Sequence, residues 1–400
     1  MLNIMDGNIR CKCGATHDGR LNIQKDLPLI DALKGLLEHG RVLIIASKEV
    51  DKGYLDTMHD DLGCEYEVTR FCGIDDVEDI EGINIIVAVG DRYVINRAKI
   101  LANSYDTRLV VIPTDFNYGE YSSSFSTVDY GGKAITRPTR APDTILVVTR
   151  VITSLSKSRW ADIIGDTYSK AISFFDYTYK AMIKGDGCEY LIDYALDLLE
   201  DGLQSFDRNS DNVDRIIDIA IALSSLYKAT GYSVGGEMQV YDTMMRFAKN
   251  SERHGLRGGE VAFLSSVVVG RLYKKFLAKP TPFSAWDVFS DMDKARRLLG
   301  LDELEVVGIA KKLNYEVSDY RDYKLEVRRP ELYASALRCD DILTRAHYKL
   351  IRLYPDGGYH LRYYLTGEEI LKVVECAPFF SRKDTLLTFI KGSGLLSITG

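Results

Sequence analysis

Ile83-Asn84-Ile85-Ile86-Val87-Ala88-Val89 is the stretch on which the fold turns: one polar residue in seven, closed by Gly90 and followed by a helical period over Tyr93 to Asn103. A half-exposed strand alternates apolar with polar residues. An unbroken β-branched run belongs instead to a strand buried on both faces, as in a parallel sheet. The pattern recurs on either side. Arg41 to Ala46 (RVLIIA) precedes a helical pattern over Lys52 to Leu62, and Arg108 to Ile112 (RLVVI) follows the helix of Tyr93 to Asn103. Strands alternating with helices predict a doubly wound, Rossmann-like α/β domain. Ser122 to Val128 and Ala134 to Ile135, with Gly131-Gly132 between them, predict a hairpin, and Thr144 to Val148 (TILVV) a last strand.

The grammar then changes. No proline occurs between Pro142 and Pro280, and this interval repeats apolar residues at i, i+3 and i+4, as in Tyr190 to Leu203 and Val213 to Tyr227. Such a stretch predicts packed helices. Further helices are expected over Met292 to Leu299, Leu304 to Lys312, Arg329 to Leu353 and Thr366 to Glu375, with Lys279-Pro280-Thr281-Pro282 as a break. The expected division is therefore an α/β nucleotide-binding-type domain over residues 1–155 and an all-helical domain over residues 156–400.

Composition narrows the function. The 400 residues carry 58 acidic against 51 Lys and Arg side chains, a net charge of -7, with no basic stripe to neutralise phosphates. Nucleic acid is not an expected partner. No window reaches the roughly 18 apolar residues of a membrane span, and the start lacks a basic end followed by an apolar run, so a cytoplasmic protein is expected. Seven scattered cysteines suit a reducing compartment. Cys11-Lys12-Cys13-Gly14-Ala15-Thr16-His17 has a zinc-clip spacing without a second cysteine pair, and reads as ordinary free thiols.

Ligands of an open α/β sheet bind beyond the carboxyl ends of its strands, so the turns after Ala46, Val89 and Ile112 are the places to search. Gly90-Asp91-Arg92 offers a single glycine to a diphosphate. Asp91 opposes that charge and reads as a helix cap, while Arg92 or Arg97 would offset it. Pro113-Thr114-Asp115-Phe116-Asn117-Tyr118-Gly119-Glu120 offers hydroxyl, amide and carboxylate groups to a hydroxylated ligand, or is simply a surface loop. Gly165-Asp166, with Lys170 one turn later, places a carboxylate near the start of a helix, either as a hard metal ligand or as a first-turn acid. Of six histidines, His254 in Glu252-Arg253-His254-Gly255 is the best placed to join it.

In order along the chain these segments resemble the iron-containing alcohol dehydrogenase and dehydroquinate synthase-like superfamily, most closely its glycerol-1-phosphate dehydrogenase and glycerol dehydrogenase branch. Cys11-x-Cys13-Gly14-x-x-His17 is similar to the opening of the bacterial members. Gly90 to Lys99 is similar to the family's glycine turn, Pro113-Thr114 to its P-T loop and Gly165-Asp166 with Lys170 to its G-D-x-x-x-K helix. Gly236-Glu237-Met238 is similar to its S-E-H, and Gly258-Gly259-Glu260 to its H-G-E. The resemblance implies a Rossmann-like domain and a helical domain, with NAD or NADP and zinc or iron in the cleft between them. It implies Gly90 and Thr114 at the cofactor, Asn117 to Gly119 near the substrate and Asp166 at the metal; Ser47 and Arg92 are the further candidates at the cofactor, Glu120 at the substrate and His254 at the metal.

The departures fall on working positions. The family's two metal histidines fall on Met238 and Gly258, two of its three cofactor glycines on Asp91 and Arg92, and its ribose-binding acid on Ser47. Two principal readings follow. One is an NAD(P)-dependent dehydrogenase of a small polyol or polyol phosphate; the alternative is a non-catalytic homologue acting as a ligand-binding or assembly protein. A lyase of the dehydroquinate synthase type is a third. The apolar tail Leu395-Leu396-Ser397-Ile398 would dock on a second copy in a homo-oligomer, or pack on its own helices.

Overall fold

The computed structural model of the chain describes residues 8–36, 39–71, 80–114, 116, 119–130, 133–208, 213–231, 235–250, 258–280, 296–297, 300, 324–354, 365–380 and 385–392. The expected helix at 304–312, all but residues 296–297 of that at 292–299, the glycine turn at 131–132, the tail at 395–398 and the candidate residues Asn117 and His254 fall outside these. Two compact units emerge from the contacts. One comprises Met1–Ile9, His17–Ile163 and Ala220–Ala229, the other Arg10–Thr16, Ile164–Ile219 and Thr230–Gly400.

The described residues open with the hairpin β1 (Asn8–Arg10) and β2 (Thr16–Asp18). The first unit then carries β3 (Ile23–Lys25), α1 (Leu29–Lys34), β4 (Arg41–Ala46), α2 (Lys52–Gly63), β5 (Glu67–Phe71), β6 (Ile85–Gly90), α3 (Arg92–Tyr105) and β7 (Arg108–Pro113). The antiparallel pair β8 (Phe125–Tyr130) and β9 (Lys133–Pro138) precedes β10 (Thr144–Val147) and the short α4 (Thr149–Thr153). Six strands form one sheet in the order β3-β10-β7-β6-β4-β5, parallel at every pairing.

All six residues of β6 and five of six in β4 are buried, which is why these segments read as unbroken apolar runs. One face packs Val42, Ile44, Val87 and Val110 with Leu55, Met58 and Leu62 of α2. Each such side chain contributes roughly 1.5–3 kcal/mol on burial, so a charge at Val87 would break the layer. Strands β3 and β5 escape sequence reading because they are short and polar, at the two edges of the sheet.

From β4 the chain steps outward to β5 and then returns to the other side of β4 as β6. That reversal is a topological switch point, and it leaves the ends of β4 and β6 facing an open crevice.

The second unit is helical: α5 (Lys157–Lys184, from Ile164), α6 (Leu191–Arg208), part of α7 (Val213–Thr230), α8 (Gly236–Asn250), α9 (Gly258–Leu277), α10 (Lys324–Leu353), α11 (Gly367–Cys376) and α12 (Leu386–Gly392). Helix α11 starts in a reciprocal capping box between Thr366 and Glu369. Helix α5 is buried almost all round from Trp160 to Tyr179, although Asp166, Ser169, Lys170, Ser173 and Asp176 lie within that stretch. A buried helix with so many polar groups must satisfy them with side chains of its neighbours. No helix among the described residues is long and apolar enough to cross a membrane.

Candidate active site

At the switch point of the first unit, Ser47 N donates to Val89 O at 2.8 Å, and Thr114 N donates to Gly90 O at 2.9 Å. Ser47, Gly90 and Thr114 thus form one rim. A Cβ at Gly90 would lie 2.9 Å from Ser47 Cβ and 3.2 Å from Val94 Cβ, so close approach of backbone dictates glycine there. The next residue works against an anion. The Asp91 carboxylate accepts from Tyr93 N at 3.0 Å and from Val94 N at 3.2 Å, so the donors that would meet a phosphate at the start of α3 already hold a negative group. Arg92 is half-buried as the first residue of α3.

Beside Thr114 opens a cavity of about 230 Å³, lined also by Glu49, Val50, Asp51, Tyr54, Arg150 and Ser154 among others. Asp51 caps α2 by accepting from Tyr54 N at 2.8 Å, and Glu49 pairs with Arg159 at 2.6 Å. Burial pushes the Tyr54 hydroxyl up to about 12, against the opposing pull of Arg150, so it is a neutral donor. Arg150 follows β10, near the start of α4. An apolar strand ending one residue before a helix with a cation in its first turn is its signal in the sequence.

Glu120 takes a supporting role. Its Oε2 accepts from Asn96 Nδ2 at 2.7 Å, and its backbone carbonyl accepts from Lys99 Nζ at 2.8 Å. Lys99 also donates to Ser123 Oγ at 3.2 Å and to Phe125 O, and burial lowers its ammonium to about 8. Together these bonds fasten α3 to the segment entering β8.

In the second unit, residues 166, 170, 173 and 176 recur along α5 at helical spacing. Lys170 Nζ donates to Asp166 Oδ1 at 2.9 Å, with both side chains almost wholly buried. Ser173 Oγ donates to Glu237 Oε1 at the start of α8. Asp176 accepts from Leu386 N at 2.8 Å, Gly236 N at 2.7 Å and Tyr273 Oη at 2.9 Å, so one carboxylate caps α12 and α8 together. Burial raises Asp176 to about 7, and it raises Glu237 as well. Glu237 Oε2 has no hydrogen-bond partner among the described residues. Ser173 and Asp176 are members of this buried cluster that the sequence does not signal, since a buried polar group leaves no mark in hydropathy.

A catalytic zinc or iron at Asp166 requires further nitrogen or oxygen ligands. Its carboxylate already meets Lys170. Met238 brings a buried thioether and Gly258 no side chain at all. Among the described residues, no group of three His, Cys, Asp or Glu ligand atoms gathers around Asp166. Leaving aside His254, which lies outside the described residues, the side chains around Asp166 do not make up a three-ligand metal set.

No family model matches the chain. An archaeal halo-thermophilic alcohol dehydrogenase from a Red Sea brine pool superposes with a TM-score of 0.59 at 10% identity, over 94% of this chain and 96% of that one. Maleylacetate reductase of Agrobacterium tumefaciens gives 0.58 at 11% identity, over 94% and 95%. The chain shares the fold of these two proteins. Within that fold, glycerol dehydrogenase of Schizosaccharomyces pombe gives 0.50 at 14% identity, over 84% and 91%. By sequence the chain is similar to the glycerol-1-phosphate dehydrogenase [NAD(P)+] of Saccharolobus islandicus, 28% identical over 167 residues, which are 39% of this chain and 46% of that protein. The enzyme of the same name from Sulfurisphaera tokodaii is 27% identical over 168 residues, 40% of this chain and 47% of that one. The chain thus spans about half the length of these curated relatives.

Proposed function

We propose that the chain is an NAD(P)-dependent dehydrogenase acting on a small polyol or polyol phosphate. The observation that carries this reading is its likeness to glycerol-1-phosphate dehydrogenases over as many as 168 residues. The switch-point rim of Ser47, Gly90 and Thr114 supports it. In this reading part of the dinucleotide lies along that rim and in the adjoining cavity. Arg150 supplies the positive charge for phosphate that the start of α3, occupied by Asp91, does not.

A bound nicotinamide would supply the hydride acceptor for the carbon that bears the substrate hydroxyl. That carbon becomes a carbonyl, and the hydroxyl proton passes to solvent. The oxygen needs a positive neighbour as charge develops on it. With the donors around Asp166 unsuited to a metal, that role falls to the Lys170 ammonium, held in place by Asp166. A cytoplasmic setting belongs to the same reading.

Calorimetric titration with NAD+, NADP+ and their reduced forms tests the first half, followed by cofactor reduction with glycerol, glycerol 1-phosphate and other small polyols. Binding of one nicotinamide cofactor, weakened at least tenfold by Arg150→Ala, is expected. Absence of binding by all four would sink the reading.

A further inference from the structure

The opening hairpin is built around a turn that presents sulfur. Cys11 N donates to Ala15 O at 3.0 Å, and Gly14 N donates to Cys11 O at 3.0 Å. Gly14 takes φ of 87°, in the left-handed region where glycine is at ease. Ala15 N donates to Cys13 Sγ at 3.4 Å, so the backbone turns a donor toward this sulfur. That N–H is a bond a thiolate accepts.

A fourth position comes from far along the chain. Cys188 sits in the loop before α6, its amide donating to Tyr177 Oη at 2.9 Å, and its Sγ lies 3.4 Å from Cys11 Sγ. Two further contacts hold the hairpin tip against the same region. Lys12 Nζ meets Asp193 Oδ2 at 3.1 Å, and Tyr194 Oη donates to Arg10 O at 2.7 Å. His17, on the returning strand of the hairpin, completes the group: one ligand atom from each of Cys11, Cys13, His17 and Cys188 lies within 4.8 Å of all the others.

We propose that Cys11, Cys13, His17 and Cys188 form a structural zinc site, separate from the dehydrogenase chemistry. A tetrahedral zinc with sulfur at about 2.3 Å and nitrogen at about 2.0–2.1 Å spaces its ligand atoms roughly 3.6–3.8 Å apart, close to the spread observed. Three thiolates and one imidazole fill all four positions, which leaves no place for substrate and makes the site structural. The second pair that the C-x-C spacing lacks in sequence is supplied by a histidine four residues on and a cysteine 175 residues on, as the numbering shows. The site clamps the hairpin tip to the loop before α6, and the ion pair and hydrogen bonds around it orient both parts before the metal arrives.

The test is metal analysis of the full chain purified after growth with added zinc, alongside Cys13→Ser, Cys188→Ser and Asp166→Asn. About one zinc per chain is expected in the unaltered protein and in Asp166→Asn, and less than a tenth of that in either serine variant. Cys13 is exposed, so its variant stays folded if removal of Cys188 disturbs the core. Cobalt(II) added to the zinc-free protein should give thiolate charge-transfer absorption and tetrahedral d–d bands, both weakened in Cys13→Ser. Three results would overturn the proposal: no zinc in the unaltered protein, zinc undiminished in Cys13→Ser, or a Cys11–Cys188 disulfide found by mass spectrometry in place of the metal.

Discussion

Two aspartates mark the contrast between the two units. Asp91 is half-exposed and satisfied by backbone, accepting from Tyr93 N and Val94 N at the start of α3. Asp166 is buried and satisfied by a side chain, Lys170, one turn along α5. A cap on the surface can be exchanged with little loss, because water takes over its partners. An interior ion pair cannot lose one member without leaving the other charge uncompensated. The first unit can therefore lose a polar contact at its rim and keep its sheet, whereas in the second the candidate chemistry and the stability reside in the same groups.

The sharpest way to break this contrast is Asp176→Ala, which strips the acceptor from Leu386 N, Gly236 N and Tyr273 Oη at once. At about 1–3 kcal/mol for each buried donor left unmet, several kcal/mol of stability should vanish in denaturant unfolding. A loss under about 1 kcal/mol would mean that the cluster is not a keystone. Asp176 also gives a pH signature. Its folded value of about 7 lies above the ordinary 3.8, so its contribution is fully present below 3.8 and is lost as pH rises toward 7. Asp176→Asn should flatten that decline in a melting series across this window.

Next in size is Asp166→Ala, which leaves the Lys170 charge in the interior without its carboxylate and should cost about 3–5 kcal/mol. Asp166→Ala combined with Lys170→Met should recover much of it. If the double variant is no more stable than the single one, the pair is not coupled. Gly90→Ala should cost about 1–3 kcal/mol by forcing a methyl against Ser47 and Val94, and Ser47→Gly in the same chain should relieve part of the strain. Thermal unfolding of the four variants measures both effects. The smallest change expected is Asp91→Gly, a few tenths of a kcal/mol in stability. It should nevertheless tighten dinucleotide binding several-fold, by removing a negative charge from the start of α3. Unchanged affinity in calorimetry would show that cofactor phosphate lies elsewhere.

Much of the first unit was legible because a parallel sheet writes its burial into sequence. The runs at β4, β6, β7 and β10 need no tertiary partner to be recognised. Asp91 read as a cap because an acid before a helix has one common use. The order of the strands, and so the switch point beside Ser47 and Gly90, depends on hydrogen bonds between distant segments. The cavity with Arg150 depends on the same order.

In the second unit helical period revealed α6, α7 and most of α10. It could not reveal that Asp166, Lys170, Ser173 and Asp176 point into neighbours, since Asp and Lys in a helix ordinarily face water. The grouping of Cys188 with the opening hairpin was equally hidden, because loop contacts across so long a separation leave no periodicity.

In the proposed reading, dehydrogenase chemistry proceeds without a histidine-held metal at Asp166. It is tested most directly by following NAD(P)+ reduction with glycerol 1-phosphate and with glycerol, in protein dialysed against a chelator and verified as folded by circular dichroism. The account predicts that reduction survives chelation and falls at least a hundredfold in Lys170→Met. Reduction that appears only when zinc or iron is restored, and that persists in Lys170→Met, would contradict it.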